Sequence, residues 1–187
     1  MKTRRIGVIG GSGLDDPDIL AEESSVSVAT EWGEVSNIKL GTVDRVQVAI
    51  LGRHGPEHTI PPGLVNYRAN IDALSRIGCA AIVATTAVGS LRAEIERGDL
   101  VLLDQFIDFT RARNNSFYDR FEPGNPIHTS LADPFDGEID DVLLDVAYDL
   151  GLKIHKKGTV VTIEGPRFST RAESMMFRSW GADVINM

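Results

Sequence analysis

The chain has 187 residues, 42% hydrophobic and 25% charged, a balance typical of globular proteins and long enough for one sizeable core in a single domain spanning residues 1–187. Its formal net charge of −8 argues against general affinity for nucleic acid or an anionic membrane surface, since both require a basic face. One cysteine, Cys79 in the apolar stretch 77–81, excludes an intrachain disulfide and reads as a buried thiol in a cytoplasmic protein.

Taken in chain order, Met1-Lys2-Thr3-Arg4-Arg5 is followed by only about six apolar or glycine residues, too few for a signal core or a membrane span. Strand-like runs are expected at residues 6–10, 25–30, 37–43, 46–51, 80–85, 100–105 and 159–163. Residues 66–77 carry Tyr67, Ile71, Leu74 and Ile77 at helical spacing, and residues 139–150 place Ile139, Val142, Leu143, Val146, Ala147 and Leu150 on one helical face. Both helices are expected to pack on a sheet. Residues 109–135 contain Asn114-Asn115-Ser116, Pro123-Gly124-Asn125-Pro126 and Asp133-Pro134, and so read as a long, turn-rich loop of the functional or mobile kind. A third helix starts at Thr170, where Thr170-Arg171-Ala172-Glu173 has capping-box spacing, and stops near Gly181, a residue suited to C′. Residues 183–187 read as the start of a buried strand, and we expect a further C-terminal portion to follow it. Strands interleaved with helical patterns make this an α/β chain.

Three loops after apolar runs carry anion-binding chemistry: Gly10-Gly11-Ser12-Gly13, Arg53-His54-Gly55-Pro56-Glu57-His58 and Thr85-Thr86-Ala87-Val88-Gly89-Ser90. In open α/β sheets ligands bind outside the carboxyl ends of the strands, where such loops converge. Glycines let backbone N–H groups approach a phosphate, hydroxyls add neutral donors and a guanidinium offers a fork, so phosphate is the natural guest.

Other readings fit less well. The dinucleotide fingerprint fails because Asp16 takes the third glycine position, a Gly-Lys-Ser/Thr phosphate loop is absent, and Leu14 breaks a nucleophile elbow. His54 and His58 have the spacing of a helical zinc pair, but Gly55 and Pro56 between them oppose a helix and no third ligand stands out, so no metal is expected. Thr85-Thr86 also suits a plain strand end, and His128 suits an exposed loop position without a role. His155, beside Lys156 and Lys157, reads as surface. Phe168, beside Pro166 and Arg167, fits either a core or a flat apolar wall for a ring.

Together these stretches resemble the 5′-methylthioadenosine phosphorylase branch of the trimeric purine nucleoside phosphorylases. The resemblance rests on Ile9-Gly10-Gly11-Ser12-Gly13-Leu14, Arg53-His54-Gly55 with residues 58–61, Val65-Asn66-Tyr67-Arg68-Ala69-Asn70 and residues 85–91. It continues through Asp104-Gln105-Phe106-Ile107-Asp108, Ser116-Phe117-Tyr118-Asp119, residues 163–174 and residues 180–187, and so covers nearly the whole chain. Relatives acting on inosine and guanosine usually carry Asn-Ala-x-Gly-Gly where this chain has Thr86-Ala87-Val88-Gly89-Ser90, and a glutamate where it has Ser169. That departure favours a 6-aminopurine. At Glu31-Trp32-Gly33-Glu34-Val35 relatives commonly have a proline-containing turn.

The resemblance implies a purine nucleoside phosphorylase-like α/β fold with a mixed central β-sheet flanked by helices, and a homotrimer. It also implies phosphorolysis of 5′-methylthioadenosine, with inorganic phosphate as co-substrate and no cofactor. It assigns Ser12, Arg53, His54, Thr86 and the Ala87 backbone to phosphate, Phe168 to the wall beneath sugar and purine, the Met187 backbone to the ribose hydroxyls, and His128 to the 5′-substituent pocket of an adjacent subunit. It places the aspartate that protonates the leaving purine beyond Met187, so no catalytic residue is assigned within the chain. Two alternatives stay open: a related phosphorylase for adenosine, methylthioinosine or inosine, and an inactive phosphate-binding scaffold.

Overall fold

The computed structural model describes residues 5–11 and 18–187, and its chain divides into two compact units. The first comprises residues 1–87 and 113–117, the second residues 88–112 and 118–187.

In the first unit, five strands form one mixed sheet: β1 (Arg5–Gly10), β2 (Ala21–Thr30), β3 (Gly33–Val43), β4 (Val46–Gly52) and β5 (Cys79–Ala84). The spatial order is β2-β3-β4-β1-β5. β1 pairs in parallel with both β4 and β5, whereas β2, β3 and β4 form an antiparallel meander. The apolar runs dictate this arrangement. Val48, Ala49, Ile50 and Leu51 of β4 are buried in succession, as expected of a strand covered on both faces.

Helix α1 (Tyr67–Arg76) packs on this sheet through Ala69, Ala73 and Leu74. Asn66 caps it by accepting the Ala69 N–H at 3.2 Å, which satisfies one of the orphan donors of the first turn. Cys79, expected to be buried, is only half-buried at the start of an edge strand, and partial burial raises its thiol pKa.

The second unit contains β6 (Gly89–Ser90), β7 (Leu100–Val101), β8 (Gln105–Phe109), β9 (Ile154–His155), β10 (Thr159–Ile163) and β11 (Val184–Asn186). Its main sheet has the order β6-β11-β10-β8, with β10 parallel to both β8 and β11, and β6 antiparallel at the edge. Helix α3 (Arg171–Ser179) buries Phe177 against Val161, Ile163 and Ala182. Its Thr170–Glu173 capping box forms as the spacing predicts. Removing the Phe177 ring would cost about 3–5 kcal/mol, the usual range for a buried aromatic. Both sheets are mixed and carry helices, in line with the expected fold class.

Three further expectations change. The run 100–105 does not form one strand. Leu100–Val101 pairs with Ile154–His155, the chain then turns, and a separate strand resumes at Gln105 beside β10. Helix α2 (Gly137–Asp149) forms, but of its apolar stripe only Ala147 is buried, while Val142, Val146 and the following Leu150 stay exposed. The two-residue strand β9 beside it is too short to cover a three-turn face. His155 is not a surface residue: its ring is half-buried and its Nε2–H donates to Asp99 Oδ2 at 2.8 Å.

The Asp99 carboxylate also accepts the Glu96 N–H and faces Lys153 Nζ at 3.1 Å. The His155 hydrogen bond foremost, then the backbone bond, holds its pKa at about 2 instead of 3.8. The unfolded chain therefore takes up this proton more readily than the folded one. The resulting stabilisation is complete above the ordinary carboxylate value near 4 and is lost as pH falls through about 2. Replacing Asp99 with Asn should lower the urea midpoint at pH 6 and remove part of the fall in stability between pH 4 and pH 2. Parallel pH profiles for the parent and variant would refute the assignment.

Candidate functional site

Strand pairing in the first unit brings the exits of β1, β4 and β5 to one corner. Because β4, β1 and β5 are adjacent and parallel, their C-terminal ends emerge together, and backbone bonds pin the exits to one another. The Arg53 N–H donates to Gly10 O at 3.2 Å, and the Thr85 N–H donates to Ile9 O at 3.0 Å.

The Arg53 side chain then crosses the corner. Its Nη1 donates to Thr85 O at 2.6 Å and its Nη2 to Thr86 Oγ1 at 3.3 Å, so the guanidinium of the second loop is fixed by the third. Gly11 lies directly against this guanidinium, and a Cβ there would overlap Arg53 Cζ and both terminal nitrogens. The glycine thus serves close approach of a charged side chain. That need is invisible in the local sequence.

His54 lies differently. Its side chain is buried, with the residue 6% exposed, and Nδ1–H donates to Ile60 O at 2.8 Å within its own turn. A carbonyl can only accept, so this bond places a proton on Nδ1. The ring lies 4.4 Å from that of His58. Gly55, at φ 72°, and Pro56 lead into a single tight turn at Pro56–His58 instead of an α-helix. Among the described residues no group of three His, Cys, Asp or Glu side chains is placed to hold a metal ion. Thr86 and Ala87 are exposed at the end of β5, and Ser12 lies outside the described residues.

The second unit holds the remaining candidates. Phe168 sits in the turn between β10 and α3 and is 85% exposed, which decides against the core reading. Its neighbour Arg167 forms a two-pronged ion pair with Glu173, at 2.8 and 2.7 Å. That pairing foremost, with the Thr170 N–H, holds the Glu173 pKa at about 2. Ser169 Oγ lies 2.8 Å from Ser174 Oγ. Met187 follows β11 and approaches Gly165, where an added Cβ would lie 2.8 Å from its Sδ. Gly165 has φ 71° and precedes a cis proline. His128 is exposed in the long loop, its ring edge-on to Phe121 at 5.9 Å. The structure thus brings Arg53 to Thr86 and Met187 to Gly165.

One group escaped the sequence reading. Glu164, at the end of β10, accepts the N–H groups of both Arg111 and Ala112, at 2.6 and 2.8 Å. It lines a cleft with Phe109, Arg111, Ile163 and Phe177. Its only sequence signal is a carboxylate directly before a Gly-Pro pair, which does not reveal a partner more than fifty residues away.

Among the described residues no helix is long and apolar enough to cross a membrane. The profile of the Phosphorylase superfamily matches residues 5–187. An S-methyl-5′-thioadenosine phosphorylase of Danio rerio is 54% identical over 98% of this chain and 66% of its own length. One from Thermofilum pendens is 46% identical over 100% of this chain and 71% of its own. Methylthioadenosine phosphorylase from Schistosoma mansoni, solved in complex with adenine, superposes with a TM-score of 0.91 at 38% identity, covering 98% of this chain and 73% of that one. The chain spans about two thirds of the length of the curated relatives it matches, 66% for those from Danio rerio and Xenopus tropicalis. From the match along residues 5–187 and these identities, the chain belongs to the phosphorylase superfamily, in its S-methyl-5′-thioadenosine phosphorylase branch.

Proposed function

We propose that the protein catalyses the phosphorolysis of 5′-methylthioadenosine to adenine and 5-methylthioribose 1-phosphate, with inorganic phosphate as co-substrate and no cofactor. The observation that carries this reading is the crossing of Arg53 from the exit of β4 to Thr85 and Thr86 at the exit of β5, against Gly11 just after β1. The names of the curated relatives support it.

In this reaction an oxygen of phosphate bonds to C1′ while the C1′–N9 bond breaks, its electron pair passes to the purine, and the ring takes a proton. The ribose becomes cationic in the transition state. A guanidinium held by a carbonyl and a hydroxyl is oriented before phosphate arrives, so little reorganisation is needed to aim the dianion at C1′. The oriented anion then stabilises the cationic sugar. Ser12, His54, Thr86 and the Ala87 backbone complete our assignment to phosphate. To Phe168 we assign the sugar and purine face, to the Met187 backbone the ribose hydroxyls, and to His128 the 5′ substituent bound by an adjacent subunit of a homotrimer.

Ser169 supports an aminopurine substrate, because a hydroxyl paired with Ser174 presents no carboxylate to hold a 6-oxopurine. The low cysteine count and acidic balance suit a cytoplasmic enzyme. No residue of this chain is assigned the proton transfer to the purine.

With methylthioadenosine and varied phosphate, Arg53→Ala should lower phosphate-dependent adenine release by on the order of 10² to 10³. Unchanged phosphate dependence would remove Arg53 from the site. Gly11→Ala crowds the same guanidinium and should raise the phosphate KM, yet add little in an Arg53→Ala background, because the two changes act through one group. Additive losses would show that Gly11 acts by another route. His128→Ala should change the ratio of methylthioadenosine to adenosine turnover, and an unaltered ratio would count against its place at the 5′ position.

A further inference from the structure

We infer that Glu164 is a positioning residue for nucleoside handling, an inference that rests on the proposed function. β10 is flanked by β8 on one side and β11 on the other, and the dipeptide at its carboxyl end serves both neighbours. Toward β8, the Glu164 carboxylate gathers the N–H groups of Arg111 and Ala112, the first residues of the chain beyond Thr110. Toward β11, the absence of a side chain at Gly165 leaves room for Met187.

Charge-assisted bonds from two successive N–H groups to one carboxylate are roughly twice as strong as neutral ones. No ladder bond can replace them, because parallel pairing of β8 with β10 ends at Phe109 and Ile163. Glu164 therefore extends the junction between the two strands by a side chain where the backbone ladder stops. Four residues later comes Phe168, 85% exposed. The geometry of that turn is thus referenced through Glu164 to the exit of β8, which opens the long loop carrying His128.

This role differs from a general contribution to folding in what it moves. Glu164 belongs to the second unit, whereas the residues assigned to phosphate lie in residues 10–87 of the first. Loss of the clamp should therefore affect nucleoside parameters and spare those of phosphate.

The test compares the parent with Glu164→Ala and Glu164→Gln by amide hydrogen exchange and by steady-state kinetics. In Glu164→Ala, exchange at Arg111 and Ala112 should accelerate at least tenfold and the methylthioadenosine KM should rise several-fold. The phosphate KM should stay close to the parent. Glu164→Gln keeps an acceptor oxygen without the charge and should fall between the two. Unchanged exchange at the two amides would overturn the clamp. Faster exchange with nucleoside and phosphate parameters falling together would overturn the positioning role in favour of a general structural one. A parent protein that releases no purine would remove the proposed function, and with it the nucleoside role, while the exchange rates would still decide the clamp.

Discussion

The parallel pairing of β1 with both β4 and β5 is the constraint on which the candidate phosphate corner depends. Parallel neighbours end on the same side of a sheet, so three loops far apart in sequence leave the fold at one place. The registers are tight: Gly10 pairs with Gly52, and Ile9 with Ala84, so each strand stops within a residue or two of the others. Arg53 can then reach Thr86 only because Gly11 carries no side chain. A slip of one residue in β4 would reverse the faces of its buried run and carry Arg53 away from the corner. The register that pairs Gly52 with Gly10 therefore also aims the cation.

In the second unit β10 is the corresponding organiser. Its buried Val160, Val161 and Ile163 fix it between β8 and β11, and α3 covers it through Phe177. Asp183 welds the neighbouring strand in place. Its carboxylate accepts from Arg92 Nε at 2.8 Å and from the Thr159 N–H at 2.9 Å, while its own backbone bonds Thr159 and Leu91. β11 is only three residues long, and these bonds give it a defined position that three ladder residues alone would hold weakly.

What could be read from the residues followed the range of the interactions. The capping box at Thr170, the Asn66 to Ile77 helix and the strands at 46–51 and 159–163 are local or periodic features, and they appear where the pattern places them. The break at residues 102–104 was not legible, because it arises when Leu100–Val101 takes Ile154–His155 as its partner, a choice made across the chain. The same distance hid Asp99 from His155, whose lysine neighbours suggested an exposed ring. In the candidate site, the placing of Arg53 and Thr86 at strand exits was legible, because each follows an apolar run and sits in a loop rich in glycine or hydroxyls. Glu164 was not, since an isolated carboxylate carries no mark of the two amides it will meet.

The two units fix their loops by different means. In the first, the 53–60 turn closes chiefly through main-chain bonds, Gly55 N–H to Gly52 O, His58 N–H to Gly55 O and Ile60 N–H to His54 O. In the second, carboxylates do this repeatedly: Asp99 takes the Glu96 N–H, Asp108 that of Thr110, Glu164 those of Arg111 and Ala112, and Glu173 that of Thr170. Main-chain bonds do not titrate, whereas a carboxylate that accepts an N–H loses that bond's strength when protonated. Acid that protonates Asp99 and Glu173, whose pKa values are held at about 2, should consequently loosen the loops those two hold, including the turn that presents Phe168, before it disturbs the main-chain-bonded corner around Arg53. The site candidates thus differ in what holds them: main-chain bonds at the strand exits of the first unit, carboxylates at the turns of the second.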